Sequence, residues 1–144
     1  MQGAEIERGI GYLVKRVQQA LRRRCDAALR PTGLSMAQYA ALRALADHPD
    51  ASASELARLC FVTRQSLGEL LTGLRSAGLV DDTDDPRRGR AQSLKLSRLG
   101  RAKLVSAHAA VADVETSMTD GIPTRLRSDI AAALMRCAEN LEAV

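Results

Sequence analysis

Two helix-start signals set close together constrain this chain more than any other feature. Ser52 followed three residues later by Glu55 has the form of a capping box, in which side chains satisfy the orphan N–H groups of a first helical turn. It opens a short helix carrying Leu56, Leu59 and Cys60. Phe61-Val62 interrupts the pattern, and Thr63 is placed as the N-cap of a further helix whose Leu67, Leu70, Leu71 and Leu74 form a tight apolar stripe. Gly78 after Ala77 ends that helix. The stretch from Ser54 to Ala77 therefore reads as helix, tight turn, helix.

A hairpin follows at once. Leu79-Val80 forms one short strand, and Gln92 to Ser97 forms the other, with Leu94 and Leu96 alternating against Ser93, Lys95 and Ser97. The connecting segment, Asp81 to Ala91, is polar, and its tip Asp85-Pro86-Arg87-Arg88-Gly89-Arg90 concentrates three guanidinium groups. A helix-turn-helix with a basic hairpin behind it is a winged helix-turn-helix.

The remainder is helical. From Ile6 the apolar positions Ile10, Leu13, Val14, Val17, Leu21, Cys25, Ala28 and Leu29 recur at steps of three and four, giving a first helix that ends before Pro31. Ser35 and Gln38 make a capping box for a second helix with Tyr39, Leu42 and Leu45, stopped by His48-Pro49-Asp50. Beyond Gly100 a long helix carries Leu104, Ala107 or His108, Val111 and Val114, and after Gly121-Ile122-Pro123 a final helix carries Leu126, Ile130, Leu134, Cys137 and Leu141. With two Tyr, one Phe and no Trp, the core must be built from aliphatic side chains. The expected fold is mainly α with a small β-hairpin wing (α+β), in a single domain over 1–144.

Charge is unevenly spread. From Cys60 to Lys103 there are nine Lys and Arg against five acids, so this portion carries the whole net charge of +4 and the rest sums to zero. In a helix-turn-helix the second helix enters the major groove by its N-terminal end, which here is Thr63-Arg64-Gln65-Ser66. Arg bonds guanine bidentately and Gln bonds adenine, while the Thr63 and Ser66 hydroxyls and the first N–H groups of the helix suit phosphate oxygens. Glu69, one turn on, is placed to accept from cytosine or to restrain Arg64. Arg87, Arg88 and Arg90 suit the backbone or a narrow minor groove. Asp81, Asp82, Asp84 and Asp85 lie at the hairpin base, where they can pair with those arginines. The competing reading is a solvated helix start beside a charge-balanced turn.

The segments "GLSMAQYAALRAL" (33–45), "SASELARLCFVTRQSLGELLTGLRSAGLV" and "DPRRGRAQSLKLSRLG" resemble the MarR family of bacterial transcription regulators, and with the flanking helices the resemblance covers nearly the whole chain. It implies a homodimeric repressor whose 33–100 lobe binds double-stranded DNA, with helix 63–77 in the major groove and wing 81–97 at the backbone or minor groove. It assigns 1–30 and 101–144 to dimerisation. It places DNA contacts on Thr63, Arg64, Gln65 and Ser66, and Arg90 at the family's usual wing arginine. Two positions depart from the pattern: Arg88 stands where an acid is common, so the wing's Asp–Arg pair must be replaced by Asp85 or be absent, and Ser97 stands where Thr is more frequent. The resemblance also implies a candidate small-molecule effector, often aromatic or phenolic, with Tyr39, Met36 and Cys25 as candidate lining residues and the core as the competing place for Tyr39. The broad apolar faces of the first and last helices point the same way, to a two-fold dimer reading half-sites about 10 bp apart.

Other classes are set against this. Three scattered cysteines without C-x-x-C argue against a disulfide framework and a zinc site, and no cofactor is expected. Cys60 and Cys137 sit at apolar positions and read as buried; Cys25 beside Arg22, Arg23 and Arg24 keeps a redox-sensing regulator open as an alternative. An enzyme finds no support, with isolated His48 and His108 and no H-E-x-x-H, G-x-S-x-G or P-loop. A winged module used only for protein contacts is the remaining rival. No apolar run spans a bilayer and the first twenty residues lack a secretory pattern, so a cytoplasmic protein is expected.

Overall fold

The computed structural model describes residues 3–83 and 94–143. In chain order the elements are α1 (Gly3–Ile6), α2 (Ile10–Leu29), a 3-10 turn (Arg30–Thr32), α3 (Met36–Asp47), α4 (Ala53–Leu59), α5 (Arg64–Ser76), β1 (Val80–Asp82), β2 (Leu94–Leu96), α6 (Arg98–Met118) and α7 (Thr124–Glu142). The chain divides into two compact units, residues 1–114 and 115–144.

The first unit holds the core. Cys25 and Leu29 at the end of α2 join Tyr39, Leu42 and Leu45 of α3, Leu56 of α4, Leu67, Leu71 and Leu74 of α5, the inward faces of both strands, and Ala107, Val111 and Val114 of α6 in one buried cluster. The caps that position these helices are local. At α3 the box is complete: the Ser35 hydroxyl accepts from the Gln38 N–H at 3.1 Å and Gln38 Oε1 accepts from the Ser35 N–H at 3.0 Å. At α4 only half of the box forms. Ser52 Oγ accepts from the Glu55 N–H at 3.1 Å, but the Glu55 carboxylate takes the Ser52 hydroxyl at 3.0 Å rather than the cap N–H.

Three boundaries differ from expectation. The first helix is broken over residues 7–9, because Gly9, extended at φ −69° and ψ 147°, caps a new start at Ile10. The long helix expected beyond Gly100, α6, begins at Arg98, because Ser97 Oγ accepts from the Gly100 N–H at 3.0 Å and so caps it. Asp81 and Asp82 belong to β1 rather than to the loop, paired antiparallel with Lys95 and Leu94. Burial of Val80, Leu94 and Leu96 on one face outweighs the poor strand preference of the two aspartates.

The hairpin is fastened to α6 through a tight junction. Ser97 donates its N–H to Leu79 O at 3.0 Å and its hydroxyl to Gly78 O at 2.6 Å. Gly100, in the first turn of α6, lies so close that a Cβ there would overlap the Leu79 carbonyl oxygen and stand 3.0 Å from its carbon. Only glycine fits.

In the second unit α7 buries no residue of its own, and Leu126, Ile130, Leu134, Met135 and Leu141 are all exposed. Cys137 is likewise exposed, contrary to its reading as a buried thiol, and so is the apolar face it shares.

Candidate nucleic-acid interface

The interface is built at the start of α5. Leu67, Leu71 and Leu74 anchor the helix against the core, which turns the opposite face outward. Thr63 is extended at φ −74° and ψ 162°; its Oγ1 accepts from the Ser66 N–H at 3.0 Å and lies 3.0 Å from Ser66 Oγ, to which it donates. The cap leaves the Arg64 and Gln65 N–H groups at the helix start without an intrahelical acceptor. Arg64, Gln65, Ser66 and Glu69 are all exposed. An anion meets there two backbone donors, the positive end of the helix dipole and a guanidinium.

Of the expected contacts, the structure brings Thr63, Arg64, Gln65, Ser66 and Glu69 onto this surface. Among the described residues no hydrogen bond or ion pair joins Glu69 to Arg64, so Glu69 is not restraining it. Arg87, Arg88 and Arg90 lie outside the described residues, as do Asp84 and Asp85. Asp82 accepts from Arg75 on α5, whose NH2 donates to it at 3.2 Å.

Two features escape a motif-based reading. Arg64, Gly68, Thr72 and Arg75 recur at helical spacing and line an open groove of about 380 Å³ with Ala53, Leu67, Leu71 and Leu94. Gly68 brings no side chain to this groove, which Arg64 and Arg75 also line; the helical period of the polar positions, not only of the leucines, carries that signal. Phe61, in the turn before α5, is 93% exposed at φ 57°. Nothing in the apolar spacing marks it.

The candidate effector residues are held differently. Tyr39 and Cys25 are buried in the core, at 3% and 1% exposure, and Met36 packs partly against it. The Tyr39 hydroxyl is 3.1 Å from His108 Nδ1 and accepts from Arg43 at 3.4 Å, linking α3 to α6. A separate groove of about 480 Å³ runs between the end of α2 and α6, lined by Ala28, Pro31, Thr32, Ala102, Lys103, Ser106 and Ala110. Lys103 donates across it to Thr32 O. Cys25 is closed off from solvent while Arg22, Arg23 and Arg24 are exposed, and burial pushes the Cys60 thiol above its ordinary pKa. Among the described residues no helix is long and apolar enough to cross a membrane.

Known proteins share this arrangement. Residues 32–91 match the model of the MarR family. The HTH-type transcriptional repressor Rv2887 of Mycobacterium tuberculosis (strain ATCC 25618 / H37Rv) is 38% identical over 102 residues, 71% of this chain and 73% of the relative. The structure of the M. tuberculosis MarR family protein Rv2887 in complex with DNA superposes with a TM-score of 0.72 at 29% identity, covering 90% of this chain and 97% of that one. The transcriptional repressor CouR bound to a 23-mer DNA duplex superposes at 0.82 with 27% identity, covering 96% and 98%. Both proteins have also been solved with small molecules, Rv2887 with salicylic acid and CouR with p-coumaroyl-CoA.

Proposed function

The chain belongs to the MarR family of winged helix-turn-helix transcription regulators, and from that premise we propose that it is a homodimeric repressor reading a palindromic DNA operator. One observation carries the reading. The Thr63 cap presents Arg64, Gln65 and Ser66 as an exposed polar turn at the leading end of a helix whose far side is locked into the core. That is the geometry by which a recognition helix meets base edges, with Arg64 directed to guanine and Gln65 to adenine. The wing over 81–97, through Arg87, Arg88 and Arg90, supplies backbone or minor-groove contacts. DNA complexes of Rv2887 and CouR support the assignment. Residues 33–100 form the DNA-binding lobe and residues 1–30 and 101–144 the dimerisation helices, in a protein that works in the cytoplasm where its operator is.

Dimerisation rests on unpartnered apolar surface. On α2, Ile10, Leu13, Val14 and Val17 are between 38% and 73% exposed, and on α7, Ile130 and Leu134 are 43% and 48% exposed. Side chains of this kind at helical spacing gain about 25 cal/mol per Å² when covered. A second copy covers them, and two recognition helices then face half-sites about 10 bp apart.

Relief of repression by a small organic acid follows the same premise. The groove holding Lys103 supplies an ammonium group beside small, apolar alanines, which suits a carboxylate on an aromatic or acyl frame. Such a ligand acts by favouring a dimer whose recognition helices no longer match the groove spacing.

The test is selection of binding sites from a randomised duplex pool, followed by titration of the selected duplex against a scrambled one at two salt concentrations. The reading expects a palindrome and at least ~10³-fold preference for it. Weak, steeply salt-dependent binding without a motif would reduce the surface to a general polyanion site.

A further inference from the structure

The end of α4 is closed by a hydrogen-bond pattern that normally asks for glycine. Val62 N–H donates to Ala57 O at 3.0 Å and Phe61 N–H donates to Arg58 O at 3.2 Å, the paired bonds that satisfy the last carbonyls of a helix when the residue beyond its cap is left-handed. The end of α5 has the same pair, from Leu79 N–H to Leu74 O at 2.9 Å and from Gly78 N–H to Arg75 O at 3.0 Å, and there the left-handed residue is glycine, at φ 73°. Gly33 and Gly121 serve the other two left-handed positions. Among the described residues Phe61 is the one side chain placed in this conformation, at φ 57°. A bulky residue there is strained.

Its ring recovers nothing within the chain. Phe61 is the sole phenylalanine and is 93% exposed, while its neighbour Val62 packs against the core. Phe61 therefore strains the backbone and contributes no burial to folding in return. The side chain sits two residues before the Thr63 cap, on the same turn that delivers Arg64 to DNA. From this we infer that Phe61 is a specificity-determining residue, whose ring packs on the C5 methyl group of a thymine in the major groove beside the base pairs read by Arg64 and Gln65. An apolar ring offers a base edge no hydrogen bond, and the thymine methyl is the one apolar group that the major groove displays. The inference rests on the DNA reading above and names one of its determinants.

The experiment uses the full-length protein and the duplex it selects from a randomised pool, with each thymine of one half-site replaced in turn by 2′-deoxyuridine. That substitution deletes the methyl group and keeps the pairing. Wild type is expected to lose about fourfold in affinity at one position, the value of one buried methyl group. Phe61→Gly is expected to bind the thymine and uracil duplexes equally at that position, while keeping the other base preferences. Phe61→Gly should also unfold at a higher denaturant concentration than wild type, since glycine relieves the backbone, so its lost preference cannot be misfolding. A Phe61→Gly protein that keeps the thymine preference, or that weakens every duplex alike because the ring lay on the backbone, overturns the inference and leaves the regulator reading intact. A wild-type protein that selects no motif overturns both.

Discussion

The junction between hairpin and α6 gives a prediction whose sign is set by one atom. In an open helix position, Gly→Ala stabilises by about 0.8–1 kcal/mol through backbone entropy. Gly73 is such a position: it lies within α5 and a Cβ there meets nothing within 4 Å. At Gly100 the added methyl overlaps the Leu79 carbonyl oxygen, which is already held by the Ser97 N–H at 3.0 Å, and comes within 3.0 Å of the carbonyl carbon. The obstacle is backbone on both sides, so no side-chain rotation relieves it. Overpacking costs about 1–3 kcal/mol and a broken hydrogen bond about 1 kcal/mol more, against which the propensity gain returns about 1 kcal/mol. The net expectation is a loss of about 1–3 kcal/mol for Gly100→Ala and a gain of up to about 1 kcal/mol for Gly73→Ala. Urea unfolding at one fixed protein concentration, so that any self-association weighs equally on all variants, reads both. A Gly100→Ala midpoint at or above wild type would refute the claim that the close approach holds the wing's base.

Four further outcomes are expected. Thr63→Ala should lose about 1 kcal/mol of stability by urea unfolding and weaken operator and scrambled duplex alike, with Thr63→Ser restoring both, because the hydroxyl holds the Ser66 N–H. Arg64→Ala should lose about 1–3 kcal/mol of preference at one base pair of the selected duplex, whereas Arg87→Ala should weaken all sequences equally and lower the salt slope by about one; equal behaviour of the two would refute the division between base and phosphate contacts. Ile130→Glu with Leu134→Glu should run as a folded monomer in sedimentation and lose operator binding, since both side chains are exposed on α7 in the single chain. Iodoacetamide should leave Cys60 slow in the folded protein; because burial raises its pKa, the reactive thiolate appears only at higher pH than for an open thiol, and the rate against pH checks the direction.

Much of the DNA-binding lobe was legible because its signals are local. A serine three residues before a Gln, a Thr before an Arg and a stripe of leucines specify where helices begin and which side faces inward, and the caps at Ser35 and Thr63 formed as read. The break before Gly9 was not legible, since apolar spacing runs through it and only the backbone marks the new start. The composition of Asp81 and Asp82 points to loop, whereas register carries both into the strand behind the buried Val80 opposite Leu96. The exposure of Cys137 is illegible for a different reason: helical spacing locates an apolar face without saying what covers it, and the face on α7 is exposed. Sequence spacing does not decide between core and pocket for Tyr39; in the single chain it is buried, with its hydroxyl beside a residue 69 positions away, a contact that no local pattern encodes.

The start of α5 shows how folding and recognition share one set of groups. Thr63 offered a hydroxyl for phosphate on sequence grounds, yet its oxygen is engaged twice with Ser66. In the free chain the Thr63 hydroxyl is shared with Ser66, and the cap takes the Ser66 N–H out of the donors open to an anion. What remains are the N–H groups of Arg64 and Gln65, held on a helix that the buried leucines stop from rotating. The cap therefore sets the direction of the donors and the order of the exposed Arg64 and Gln65 side chains together. A change that frees the hydroxyl cannot strengthen the interface, because the oxygen released for phosphate costs the alignment of the two donors beside it.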